Sequence, residues 1–207
     1  MTVLVIGGCK CDGKLCRSQL LTYAYLLLFF QIDSHTDARW GFDSTDSIEY
    51  VYLQKTYNTS ANKKNNNSND RPTRMRISIY DAQGLKNKIT EFINELVAEG
   101  GHYSEPGSEF VTLSRFGDRN LAEDNDTAKR NAATDPDFQV GNIHGRFVVD
   151  MEIRQYKVWL MNPVSDRNAT RFNNWFGPAI LLSVPAMVEL VKYIDIASAE
   201  IKAARGT

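Results

Sequence analysis

Apolar positions recur along this chain in two similar stretches. The later one, from Arg146 to Ala204, opens with Phe147-Val-Val-Asp-Met-Glu-Ile-Arg-Gln-Tyr-Lys-Val-Trp-Leu-Met161, a long strand-like run. A polar loop studded with aromatics follows from Asn162 to Pro178, then a short apolar strand, Ala179-Ile-Leu-Leu182. Ser183 is placed to cap a helix, with Pro185 tolerated in its first turn. Met187, Leu190, Val191, Ile194, Ala197 and Ile201 then share one helical face. The pattern predicts strand, loop, strand, helix, with the helix covering one sheet face.

The earlier stretch follows the same plan. Ile48-Glu-Tyr-Val-Tyr-Leu-Gln-Lys-Thr-Tyr57 is rich in β-branched and aromatic residues and predicts a strand. Asn58 to Pro72 is a polar loop, and Arg74-Met-Arg-Ile-Ser-Ile-Tyr80 a second strand. Asp81 is expected to cap a helix with an apolar face of Leu85, Ile89, Phe92, Ile93, Leu96 and Val97, which Gly100-Gly101 stops. The fold class expected is α+β: two strand-rich antiparallel sheet units, each followed by an amphipathic helix, as an internal duplication. An apolar N-terminal helix precedes them. The expected divisions are an N-terminal strand and apolar helix over 1–40 and a first repeat over 41–101. An acidic linker or excursion follows over 102–145, and a second repeat over 146–207.

Outside the two repeats the pattern is less regular. Thr2-Val-Leu-Val-Ile6 and Gly7-Gly8 predict a short strand ending in a turn, but Gly7 to Lys14 carries no phosphate-cradling glycine motif. Leu20 to Ile32 is the most apolar run, at 13 residues too short to cross a bilayer, which needs about 20. It is expected to be a buried or interface helix, the alternative being a signal-peptide core. Phe110 to Phe116 is expected to add one strand. Asp118 to Asp137, carrying Glu123, Asp124, Asp126, Asp135 and Asp137, is expected to be an exposed excursion or linker.

Composition narrows the function classes. The 207 residues carry a formal net charge of −1, so any polyanion site must be a local patch. The three cysteines, Cys9, Cys11 and Cys16, cannot close a set of disulfides, which favours a reducing, intracellular compartment. Their spacing lacks a fourth ligand, so no metal site is expected. Sequons at Asn58, Asn66, Asn125 and Asn168 keep open a secreted or membrane-associated glycoprotein.

Charge is unevenly distributed. From Lys55 to Arg76, six basic residues face one acid, Asp70, and Asn58 to Asp70 is a low-complexity loop expected to be mobile. Arg74 and Arg76 alternate with Met75 and Ile77 and so share one strand face. In the second stretch Arg146, Arg154, Lys157, Arg167 and Arg171 interleave with Tyr156, Trp159, Phe172, Trp175 and Phe176. Basic residues neutralise phosphates while rings stack on unpaired bases. The competing reading is a solvated sheet face with its large aromatics in the core.

These paired units resemble a group of small single-stranded nucleic-acid binders: the positive-cofactor-four type coactivators, the purine-rich-element (PUR) proteins and the Whirly proteins. The resemblance rests on Arg74-Met-Arg-Ile-Ser-Ile-Tyr-Asp81 running into one helix and Gly177-Pro-Ala-Ile-Leu-Leu-Ser-Val-Pro185 into the other. The preceding strands, Ile48–Tyr57 and Phe147–Tyr156, match in type and position. It implies a curved antiparallel sheet followed by a helix, doubled within a chain or across a dimer.

Enzymatic features are sparse. His35, His102 and His144 sit in no nucleophile or metal motif, and Asp150 with Glu152 reads as solvated sheet. The expectation is therefore non-catalytic binding of single-stranded DNA or RNA, with no cofactor, by an intracellular protein working as a homo-oligomer or in a larger complex. Lys55, Arg74, Arg76, Arg154, Lys157 and Arg171 are expected to contact backbone; Tyr50, Tyr52, Tyr57, Tyr156 and Trp175 are expected to stack. The alternative is a structural subunit of a larger viral or organellar assembly.

Overall fold

A run such as Ile48–Lys55 alternates because a strand turns successive side chains to opposite faces. A computed structural model describes residues 30–56, 73–99, 113, 116, 131–150, 153–162 and 179–206. In it β1 (Phe30–Asp33), β2 (Thr36–Asp43), β3 (Ile48–Lys55) and β4 (Thr73–Ser78) form an antiparallel sheet in sequence order. Leu53 lies opposite Ala38 and Met75, and Val51 opposite Ile77, all on the buried face. Helix α1 (Ile79–Ala98) follows directly. A second antiparallel sheet runs β5 (Phe138–Val140), β6 (Ile143–Asp150), β7 (Gln155–Met161) and β8 (Ala179–Ser183), again in order, and leads into α2 (Val184–Arg205). Among the described residues the protein is therefore mixed α+β, with two four-stranded sheets and two long helices.

The helix starts follow local chemistry. Ser183 caps α2, its hydroxyl accepting from the Ala186 amide at 3.4 Å, with Pro185 in the first turn. Gly206 closes that helix at φ 72°, a left-handed conformation that favours glycine. Helix α1 starts three residues earlier than expected. Ser78, not Asp81, is the cap, its hydroxyl accepting from the Asp81 amide at 3.0 Å. Asp81 sits inside the first turn, where a carboxylate complements the positive end of the helix. Leu85, Ile89, Phe92 and Leu96 are buried as expected, but Val97 is half exposed.

Several expectations are corrected. Phe147–Met161 is two strands, β6 and β7, with a turn between them. The reason is parity: inward positions are odd in β6 (Phe147, Val149) and even in β7 (Tyr156, Val158, Leu160), which one continuous strand cannot provide. Arg154 takes up the reversal at φ 50°. The last residues of the apolar run, Phe30 to Ile32, belong to β1, because pairing with Asp37 and Ala38 extends them. The rest of that run, residues 20–29, lies outside the described residues, as does the Asn58–Asp70 loop. Among the described residues the strands of the first sheet start at Phe30 and those of the second at Phe138. Leu113 and Phe116, expected on a strand, are linked instead by a hydrogen bond of the Phe116 amide to the Leu113 carbonyl at 2.9 Å.

The end of the acidic segment keeps Asp135 and Asp137 exposed, as expected, but is hydrogen-bonded into the fold. Residues 131–134 form a helical turn. Asp137 accepts from the Phe147 amide at 2.7 Å, and its own amide donates to the Gly145 carbonyl at 2.8 Å. Gly145 is required there. A methyl group on it would fall 1.9 Å from the Phe138 ring, which lies across the glycine.

One core joins the two sheets, because each helix follows one sheet and packs against both. Phe92 of α1 reaches the second sheet, meeting Phe147 at a ring-centroid distance of 4.0 Å and Tyr156 at 5.6 Å. Tyr193 of α2 reaches the first sheet and meets Phe30 at 5.2 Å. Polar links repeat the exchange. Trp40 Nε1 of β2 donates to Glu200 at 2.5 Å, and Arg205 Nε donates to the buried Glu49 carboxylate at 2.8 Å. Lys86 of α1 pairs with Asp195 of α2.

Candidate nucleic-acid interface

With Val51, Leu53, Met75 and Ile77 facing the helices, the alternate residues of β2, β3 and β4 must lie on the opposite face of the first sheet. Register then fixes the neighbours. Arg39 lies opposite Tyr52, Tyr52 opposite Arg76, and Gln54 opposite both Asp37 and Arg74. The Arg39 guanidinium sits 5.4 Å from the centre of the Tyr52 ring, and that of Arg76 sits 4.3 Å from the centre of Tyr50. The two tyrosine rings are 6.2 Å apart. Arg74 Nε donates to Gln54 Oε1 at 2.9 Å. Three guanidinium groups and two phenol rings thus share one sheet face, Arg39 and Arg76 against the rings and Arg74 against Gln54.

The β2–β3 turn closes over one end of this face. Asp43 Oδ1 accepts from the Thr45 amide at 2.9 Å, while its Oδ2 pairs with Arg76 at 2.7 Å. Asp46 repeats the division of labour. Its Oδ1 accepts from the Ile48 amide at 3.2 Å, and its Oδ2 accepts from the Tyr50 hydroxyl at 2.5 Å. Ser47 allows the tight reversal at φ 58°. The Thr45 amide and hydroxyl, and more weakly Arg76, hold the Asp43 carboxyl below its ordinary range against some loss of solvation. The hydrogen bond to Asp46, followed by burial, pushes the Tyr50 phenol up.

Of the residues expected at the interface, this face brings together Tyr52, Arg74 and Arg76, with Tyr50 beneath them; Tyr50 is 8% exposed under the Arg76 guanidinium and so supports that arginine rather than stacking on a base. Lys55 lies on the inward face instead and reaches the second sheet where β4 and β8 approach, its Nζ donating to the Leu181 carbonyl at 2.6 Å. Burial there lowers its pKa, with Asp33 opposing and Lys157 adding to the shift. Tyr156 is corrected from a stacking residue to a core residue. It is 2% exposed, packs on Phe92, and accepts from the Leu113 amide at 2.6 Å. The parity change between β6 and β7 turns it inward.

Lys157 lies on the outer face of the second sheet and pairs with Asp150 at 2.7 Å. Beside it Trp159 is buried with Ala132, Val148 and Met161, beneath the turn at 131–134. Arg146 is also engaged, pairing with Asp135 at 2.9 Å. Arg154 stands in the β6–β7 turn. The second sheet's outer face is therefore largely an apolar, covered surface, unlike the first. Tyr57, Arg171 and Trp175 lie outside the described residues.

Arg39, Asp43 and Asp46 were not anticipated from the sequence. The signal was present: Thr36-Asp-Ala-Arg-Trp-Gly-Phe-Asp43 alternates polar and apolar residues with strand period, and Asp43-Ser-Thr-Asp46 is turn chemistry. Among the described residues, no three His, Cys, Asp or Glu side chains gather as a metal ion would need, and no helix is long and apolar enough to cross a membrane. No family model, curated protein or solved structure matches the chain.

Proposed function

We propose that the chain binds single-stranded DNA or RNA, without catalysis, on the outer face of its first sheet. The observation that carries this reading is the grouping on one sheet face of Arg39 and Arg76 against Tyr52 and Tyr50, with Arg74 beside them on Gln54. Arginine edges offer paired N–H donors to phosphate oxygens, and half-buried Tyr52 offers a ring edge and part of a face to a base. The contacts are of a kind that duplex cannot satisfy as well, since its bases are already stacked. The shared order of elements supports descent of the two units from one duplicated sheet-helix unit, as in the positive-cofactor-four, PUR and Whirly group. The working form is an intracellular homo-oligomer or a member of a larger complex.

Fluorescence anisotropy with labelled single-stranded and duplex oligonucleotides, at two salt concentrations, tests the reading. Single strands should bind more tightly than duplex, and log K should fall linearly with log salt. Absence of binding to either form at low salt rejects it.

A structural-subunit role is the second reading, favoured by exposed apolar side chains at one end of the first sheet. Phe42 is 43% exposed and Tyr80 67% exposed. Phe42 lies opposite Glu49, whose Arg205 partner hydrogen-bonds Tyr80. This reading predicts concentration-dependent self-association that a Phe42→Ser, Tyr80→Ser double substitution abolishes.

A further inference from the structure

The acidic turn between β2 and β3 does more than reverse the chain. Either carboxylate could hold the turn with one oxygen alone, as Asp43 does toward Thr45 and Asp46 toward Ile48. Each instead spends its second oxygen on a side chain of the sheet face, Asp43 on Arg76 and Asp46 on Tyr50. Register places a third carboxylate, Asp37, on that face as well, so three acids stand among three arginines. Asp37, however, lies toward the other end of the strand and is opposite Gln54 rather than an arginine.

We propose that the turn carrying Asp43 and Asp46 is a built-in competitor for the phosphate groups of a single-stranded nucleic acid, occupying Arg76 and Tyr50 until a ligand displaces it. The inference rests on the binding reading above and adds a regulatory element to that face. A carboxylate presents two oxygens to a guanidinium much as a phosphate does, so the two compete for one fork of donors. The pair is half exposed on the Arg76 side, and exposed pairs are weak enough to exchange readily. Ligand affinity is thereby held below what the three arginines would give unopposed. The turn also discriminates: a ligand must supply enough phosphates along the strand to outcompete a tethered carboxylate.

The test is Asp43→Asn, read by anisotropy with a fluorescein-labelled oligothymidylate. The amide oxygen of the substituted residue still accepts from the Thr45 amide, so the turn is retained, and an unchanged melting temperature checks this. Asp37→Asn removes the same charge from the same face without touching Arg76. Asp43→Asn should tighten binding about 3- to 10-fold, more than Asp37→Asn does. In an Arg76→Ala background the gain from Asp43→Asn should fall to that of Asp37→Asn. Equal gains from Asp43→Asn and Asp37→Asn, with wild-type binding intact, overturn the competitor and leave the binding reading standing. If the wild type and every variant fail to bind at low salt, the binding reading falls and takes the competitor with it.

Discussion

The ring of Phe92, on the helix that follows the first sheet, stacks on Phe147 of the second sheet with centroids 4.0 Å apart and planes 18° from parallel. Phe116 and Tyr156 close around the same ring, at 5.9 and 5.6 Å. Truncating a buried aromatic in such a site costs about 3–5 kcal/mol. Phe92→Ala should lower stability by that amount. Probes placed in the first and second sheets should still lose signal in one transition, because the core they share is continuous. Separate transitions for the two sheets in urea would contradict a common core.

Gly145 makes a sharper claim about packing. Because the Phe138 ring lies where a methyl group would stand, Gly145→Ala must push out either the ring or the strand. Overpacking of this kind costs about 1–3 kcal/mol. Gly145→Ala with Phe138→Leu should recover part of the loss, measured as the midpoint of denaturant unfolding. If Gly145→Ala is neutral, the ring is elsewhere in solution.

The Asp46–Tyr50 hydrogen bond has a titration signature. That bond is the first cause raising the phenol, with burial second and the Arg76 charge opposing. Asp46→Asn should therefore lower the pH at which Tyr50 ionises, read from its ring carbon shift by NMR. The sign for stability follows from linkage. A phenol raised in the folded state contributes stability that is complete below the unfolded value, about 10, and is lost as pH rises through the folded value. Wild type should thus lose more stability in alkali than the variant. Identical titration curves would show that the bond does not form.

Charge and stacking on the sheet face should separate experimentally. Arg39→Ala should weaken binding of all single strands alike and reduce the salt slope by about 0.7. Tyr52→Ala should weaken binding by about 1–3 kcal/mol and leave the slope nearly unchanged. Tyr156→Phe should leave binding untouched and cost about 1 kcal/mol of stability, through loss of the acceptor for the Leu113 amide. A binding defect in Tyr156→Phe would place that ring at the interface after all.

Local pattern was sufficient for β3, β4, β8 and both long helices, since Leu85, Ile89 and Phe92 or Met187, Leu190 and Ile194 keep a period that only a helix satisfies. It failed where pairing partners decide. Phe30–Ile32 closes an apolar run with no period of its own, and only Asp37 and Ala38 across the sheet make it a strand. The three-residue β5 is too short to show alternation at all. The site divided along the same line. Arg74, Arg76, Tyr50 and Tyr52 could be grouped because register and parity put them on one face. Lys55 and Tyr156 were misplaced, because how one sheet meets the other sets their surroundings. Arg39 was missed with the strand that carries it.

The exchange of helices between sheets also orders events during synthesis. Arg205 grips Glu49 across 156 positions of sequence, and Tyr193 covers Phe30 from farther still. Until α2 has been synthesised, the inner face of the first sheet has only one of its two covering helices, and apolar side chains such as Phe30 lack their cover. A chain cut between the two units should accordingly yield fragments that are insoluble singly yet reconstitute the native protein when co-expressed.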